Sequence, residues 1–167
     1  MIDTERRDDV FTLQVRLYRK FQVCLGLSPN ECNEVYYKYG LFDYIAMCYE
    51  GYHMQGDEAN CTDMLDYVKG KGYLSVPEND LQTTVIYSAE NEFAMELLAA
   101  MASANLAKQQ KISKTKAFTR FMKSKTAEML FDESTYMWMN GPDYIADEYR
   151  RELRKYKMRF RNFCAKN

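Results

Sequence analysis

Residues 85 positions apart match without a gap over one stretch of this chain, and that periodicity limits what it can fold into. Ser28 falls on Ser113, Lys38 on Lys123, Met54 on Met139 and Gly56 on Gly141. The chemistry between those identities also tracks: Tyr36 falls on Phe121, Asp43 on Glu128, Ile45 on Leu130 and Gln55 on Asn140. Internal self-similarity of this kind predicts two related modules packed into one body. The expected organisation is an N-terminal helical module at 1–72, a linker at 73–87 and a C-terminal helical module at 88–167, ending in a basic helix.

Helix signals recur along the chain. Val10, Leu13, Leu17, Phe21 and Cys24 stand three or four apart and predict an amphipathic helix over 9–25, ended by Gly26. Ser28-Pro29-Asn30-Glu31 opens a second helix: Ser28 can cap, Pro29 suits the first helical position and Glu31 closes a capping box. Gly40 suits the left-handed cap of that helix. A third helix is expected over Leu41–Met54 and a fourth over Glu58–Lys69. Gly70-Lys71-Gly72 and Pro77 mark the linker. Thr83–Tyr87 has two readings, a short strand or the first turns of the next helix. Ser88–Lys108 lacks Pro and Gly and is rich in Ala, Leu and Met, which predicts helix. Ser113 caps the next helix, and another turn or two is expected over Lys125–Phe131.

Asp132–Thr135 reads as a turn. Tyr136–Met139 after it can be extended, giving one short hairpin near 132–140. Pro142 then starts the last helix, with the stripe Ile145, Tyr149, Leu153, Tyr156, Phe160 and Phe163 expected to dock on the body. The fold class is therefore all-α, a bundle of about seven or eight helices built from two pseudo-repeated modules.

Charge is uneven. Residues 1–79 carry 8 basic and 13 acidic side chains, and residues 80–167 carry 15 and 11. Such a split can steer an acidic partner toward the second half. Lys108–Lys125 holds seven basic residues and no acid. Phosphate neutralisation needs a basic patch, so Lys114, Lys116, Arg120 and Lys123, with Arg150, Arg154 and Lys157 of the last helix, are the candidate nucleic-acid contacts. A solvated or protein-binding face is the competing reading, and the sequence pI near 5.9 favours it.

Catalytic and metal chemistry finds little support. The five cysteines, Cys24, Cys32, Cys48, Cys61 and Cys164, contain no C-x-x-C pair, and there is one histidine, so no zinc site is expected. Reduced, mostly buried thiols and a cytoplasmic location are the expectation. No phosphate loop, dinucleotide fingerprint or serine elbow is present, so no cofactor is assigned. Nor does any stretch approach the roughly 20 apolar residues of a membrane span. His53 is the sole candidate general base. It stands beside Tyr49, Tyr52 and Glu50 with only Cys48 and Cys61 as nearby nucleophiles, and it falls on Trp138 in the repeat. That match points to packing or an interface. Fourteen tyrosines and eleven methionines suit half-buried surfaces. The candidate partner-binding residues are Tyr49, Tyr52, His53, Trp138 and Tyr144.

Leu27-Ser28-Pro29, Tyr39-Gly40-Leu41-Phe42-Asp43-Tyr44-Ile45, Tyr49-Glu50, His53 and Gly56 resemble a group of small bacterial helical proteins classed as a domain of unknown function. Phe121–Thr126, Met129–Glu133, Trp138 and Gly141–Ile145 are similar to a second, associated kind. The resemblance implies a neighbouring ADP-ribosyltransferase-like toxin and an accessory, antitoxin-like role. It carries over no catalytic residue. The expectation is a non-enzymatic protein-binding module, with a nucleic-acid-binding regulator as the alternative and an enzyme built on His53 ranked last.

Overall fold

A computed structural model describes residues 4–73 and 89–164. The chain divides into two compact units, residues 1–88 and 89–167. All regular structure among the described residues is helical. Thr83–Tyr87 lies outside them.

In the first unit, α1 (Thr4–Cys24) is the central element, packing on α2 (Pro29–Tyr39), α3 (Leu41–Met47) and α5 (Asp57–Gly70). Its expected stripe is buried at Leu13, Leu17 and Phe21. Phe11, Val15 and Tyr18 are buried too, so α1 is covered on more than one side. Tyr18, Tyr36 and Phe42 form the aromatic heart, with Tyr36 4.7 Å from Tyr18 and 4.8 Å from Phe42 between ring centroids. The Tyr18 hydroxyl donates to Asn33 Oδ1 at 2.7 Å. The Tyr36 hydroxyl is buried without a hydrogen-bond partner among the described residues.

The caps follow the local sequence. Glu31 N–H donates to Ser28 Oγ at 3.3 Å while Ser28 N–H donates to Glu31 Oε2 at 2.8 Å, the reciprocal pair of a capping box. Gly40, at φ 66, closes α2 by donating to Tyr36 O and at once opens α3. The expected helix over Leu41–Met54 instead divides at Cys48, whose ψ is 1, into α3 and the single turn α4 (Tyr49–Tyr52). Gly51 is a weak helix former there, and the break lets Tyr52 turn edge-on to Tyr44 in the interior.

In the second unit, α6 (Ala89–Gln110) packs on α7 (Lys114–Phe121) and α9 (Pro142–Cys164), and α8 (Lys125–Leu130) packs on α9. Ala99, Ala102 and Ser103 give α6 a small-residue surface, against which Phe118, Phe121, Leu130, Ile145 and Tyr149 complete a buried core. No hairpin forms near 132–140. Two 3-10 turns, Glu133–Thr135 and Met137–Met139, occupy that stretch. Asp132 Oδ1 accepts from Ser134 N–H, and Thr135 Oγ1 accepts from Met137 N–H. These local bonds occupy backbone donors that a strand ladder would need.

Much of the element order recurs in both units, with two 3-10 turns of the second in the place of α4. Shifted by 85, the starts of α2 and α5 fall on the starts of α7 and α9. Ser28 and Ser113 are both N-caps that accept from the third helical residue. Tyr36 and Phe121 are both inaccessible, as are Ile45 and Leu130. The turn after α1 and the turn after α6 also coincide. Leu27 N–H donates to Gln22 O at 3.0 Å, and Ile112 N–H to Ala107 O at 3.1 Å. Each turn passes through one left-handed residue, Gly26 at φ 61 and Lys111 at φ 54. The left-handed region costs an L-residue about 1–2 kcal/mol. Lys111→Gly is therefore expected to raise stability by about 0.5–1 kcal/mol, because glycine relieves that strain while loosening the unfolded chain. Chemical denaturation checks it, and a loss of stability would contradict the turn geometry.

The units differ at their last helix. α5 ends at Gly70 and closes through Gly72 at φ 94, with Tyr73 N–H donating to Val68 O at 3.0 Å. At the equivalent place α9 has Lys155-Tyr156-Lys157 and continues to Cys164. The expected stripe is buried only along the first part of α9. Ile145 and Tyr149 are in the core and Leu153 is half-buried, whereas Tyr156 and Phe160 are 58% and 70% exposed. The side chain of Phe163 lies outside the described residues. Docking of the whole stripe is thus corrected, because the core of this module is long enough to cover only the part of α9 that matches α5.

Candidate interaction surfaces

In the first unit the surface around α4 carries the residues singled out in the sequence. Tyr49 is half-buried and stacks on His53, ring centroids 5.0 Å apart. His53 is exposed, and its Nδ1 lies 2.7 Å from Tyr49 O, a local contact that fixes the ring against its own helix. Tyr52 is 3% exposed, so it offers no surface to a partner and serves the core. The Asn60 side-chain amide donates to Tyr52 O at 2.8 Å, tying α4 to α5. Arg6 pairs with Glu50 at the surface. Tyr44 and Tyr67 stack at 3.8 Å, with Lys71 above Tyr67. Met54, just after His53, is 79% exposed.

None of the four thiols of this unit, Cys24, Cys32, Cys48 and Cys61, is in a disulfide. Cys32 and Cys61 are buried, while Cys24 and Cys48 are half-buried. Burial pushes the Cys32 thiol up to about 12. It also raises Tyr18 and Tyr36 well above the ordinary tyrosine range. Cys61 is raised too, by a hydrogen bond with Cys24 and by burial. A group whose folded pKa is raised contributes stability that is present below its unfolded pKa and lost as pH rises toward the folded value. The first unit is expected to lose stability progressively above about pH 9, the ordinary value for a thiol. Thermal melts between neutral pH and pH 11 check this. A flat profile would contradict it, and Cys32→Ala is expected to shallow the slope.

In the second unit Trp138 is half-buried and its indole N–H is buried without a partner among the described residues. Tyr144 is exposed, as are Tyr136 and Met139. Met139 occupies the repeat position of Met54, and both follow the bulky residue, His53 or Trp138, that precedes the last helix. The sequence pairs Met54 with Met139 but marks neither as a partner-binding residue, because exposure cannot be read from a lone apolar residue.

The basic residues differ in availability. Lys116, Arg120 and Lys123 are exposed on or just after α7, and Arg154 and Lys157 on α9. Lys114 is half-buried. Arg150 is half-buried and engaged by Asp147 and Gln109, which reduces its value as a phosphate contact. A groove of about 360 Å³ between α8 and α9 is lined by Lys125, Met129, Arg151, Lys155, Tyr156 and Arg159, among others. Its floor is organised by Glu152, which sequence reasoning passed over. The Glu152 carboxylate accepts from Lys125 N–H and Thr126 N–H, each at 3.0 Å, and from Thr126 Oγ1 at 2.7 Å. The two N–H groups are backbone donors that a helix leaves unpaired at its start, so α9 helps cap α8.

No cluster of three or more His, Cys, Asp or Glu side chains is placed to hold a metal ion among the described residues. No described helix is long and apolar enough to cross a membrane.

The fold and its surfaces define an all-α protein of two similarly ordered helical units. Residues 14–71, most of α1 through α5, match the model of a family described as "Protein of unknown function (DUF3791)". No curated protein and no solved structure matches the chain.

Proposed function

We propose that this chain is a non-enzymatic protein-binding module made of two versions of one helical unit. The observation that carries the reading is the concentration of exposed large apolar side chains in the second unit: Tyr136, Met139, Tyr144, Tyr156, Met158 and Phe160. Tyr156, Met158 and Phe160 lie within five residues of one helix, and exposed apolar groups gathered rather than scattered singly mark interaction surfaces; Tyr and Met are residue types that interfaces favour. The resemblance of residues 27–69 makes an ADP-ribosyltransferase-like toxin the first partner to test, with this chain as its neutralising companion.

The test is purification of the tagged chain from native extract after nuclease treatment, followed by mass spectrometry. A partner held in stoichiometric amount through a high-salt wash supports the reading. A monomeric chain with no retained protein contradicts it.

The exposed Lys116, Arg120, Lys123, Arg154 and Lys157 favour a second reading, a nucleic-acid-binding regulator. Binding of random duplex DNA that falls steeply with salt, and less steeply after charge removal at Arg154 and Lys157, would replace the first reading.

A further inference from the structure

We infer that the distal half of α9 is a docking seam for an acidic amphipathic helix of a partner protein. The inference rests on the protein-binding reading and names the partner's chemistry.

Two observations place the seam. α9 runs past the point at which α5 ends in the matching unit, and Tyr156 and Phe160 lie in that added segment. The core of the module is complete without them. Past Tyr149 in the core and half-buried Leu153, the sequence stripe continues at positions 156, 160 and 163, extending the alternating steps of four and three. That is the a/d repeat of a helix pair, a narrow seam that fits one facing helix. An interfacial membrane helix presents a broad apolar face instead, and here Met158 and the basic side chains surround the stripe. Nucleic acid would engage the charges and leave Tyr156 and Phe160 unused.

Charge selects among helices. Residues 150–161 hold Arg150, Arg151, Arg154, Lys155, Lys157, Arg159 and Arg161 against the single acid Glu152. In the repeat, Arg150 and Lys157 follow the d positions, while Glu152 and Arg159 precede the a positions. These flanking places set the choice of partner helix. Glu152 is committed to the start of α8. An antiparallel second copy would set Lys157 and Arg159 against like charges, and a parallel one would offer Lys157 only the committed Glu152, whereas a helix with Glu or Asp at its flanking positions pairs with them.

The test uses the full chain and labelled synthetic peptides of about four heptads with Leu at a and d. One peptide carries Glu at e and g, one carries Lys there, and one is the acidic peptide with its order permuted. Anisotropy should show binding of the ordered acidic peptide alone. Phe160→Glu should weaken it by at least about tenfold, with an unchanged melting curve because Phe160 is exposed. The inference is overturned if the acidic peptide does not bind, if the permuted peptide binds as well, or if Phe160→Glu binds like the parent. It is equally overturned if Phe160→Glu instead abolishes self-association, binding to phosphatidylserine vesicles or binding to duplex DNA. A native partner that still co-purifies with the Phe160→Glu chain would leave the protein-binding reading standing and sink this one.

Discussion

Phe121→Ala is expected to destabilise the second unit by about 3–5 kcal/mol, the range for emptying a buried aromatic position. Phe121 is inaccessible and meets Tyr149 edge-on at 5.6 Å, so its loss opens a cavity between α7 and α9. Tyr36→Ala at the equivalent place should cost less, because it also removes a buried hydroxyl that has no hydrogen-bond partner among the described residues. By the same argument Tyr36→Phe, which installs the residue that the second unit already uses, should leave stability unchanged or raise it. Urea denaturation of the three variants measures the ordering. If Phe121→Ala costs under about 1 kcal/mol, or if Tyr36→Phe costs as much as Tyr36→Ala, the packing described here is wrong.

Glu152→Ala is expected to cost about 2–3 kcal/mol, since it removes a carboxylate that accepts three hydrogen bonds at the start of α8. Glu152→Gln keeps one acceptor oxygen and should recover part of the loss. Hydrogen exchange at the first amides of α8 reads the effect directly. Protection there that survives Glu152→Ala would show that Ser124, whose Oγ accepts from Ala127 N–H at 3.0 Å, caps α8 unaided.

The features legible in the sequence were those with local causes. Ser28-Pro29-x-Glu31 specifies its own helix start, and Gly26 and Gly40 specify their turns, because each needs only neighbouring backbone. The all-helical class followed from the same signals. The break at Cys48 was not legible, since it depends on Tyr52 turning inward against Tyr44. The first 3-10 turn lies where the sequence reads a turn, at 132–135, whereas the second, at 137–139, was hidden behind β-prone residue types, because the bond from Met137 N–H to Thr135 Oγ1 decided the backbone there. The length of the α9 stripe that is buried depends on where α6 and α8 stop, which no single helix's periodicity contains. Of the candidate surface residues, His53 and Tyr144 are exposed, Tyr49 and Trp138 are half-buried, and Tyr52 belongs to the core. Glu152 escaped notice because a lone acid on a basic helix looks like a solvated side chain until the start of α8 is seen against it.

Partner docking on α9 requires its distal half to be uncovered in the free chain. Hydrogen–deuterium exchange resolved along α9 measures that directly. Amides of residues 145–150 should be strongly protected, those of 154–161 should exchange orders of magnitude faster, and the latter should gain protection when a stoichiometric partner is added. Equal protection along the whole helix in the isolated chain would mean that the seam is already covered, and would contradict the account.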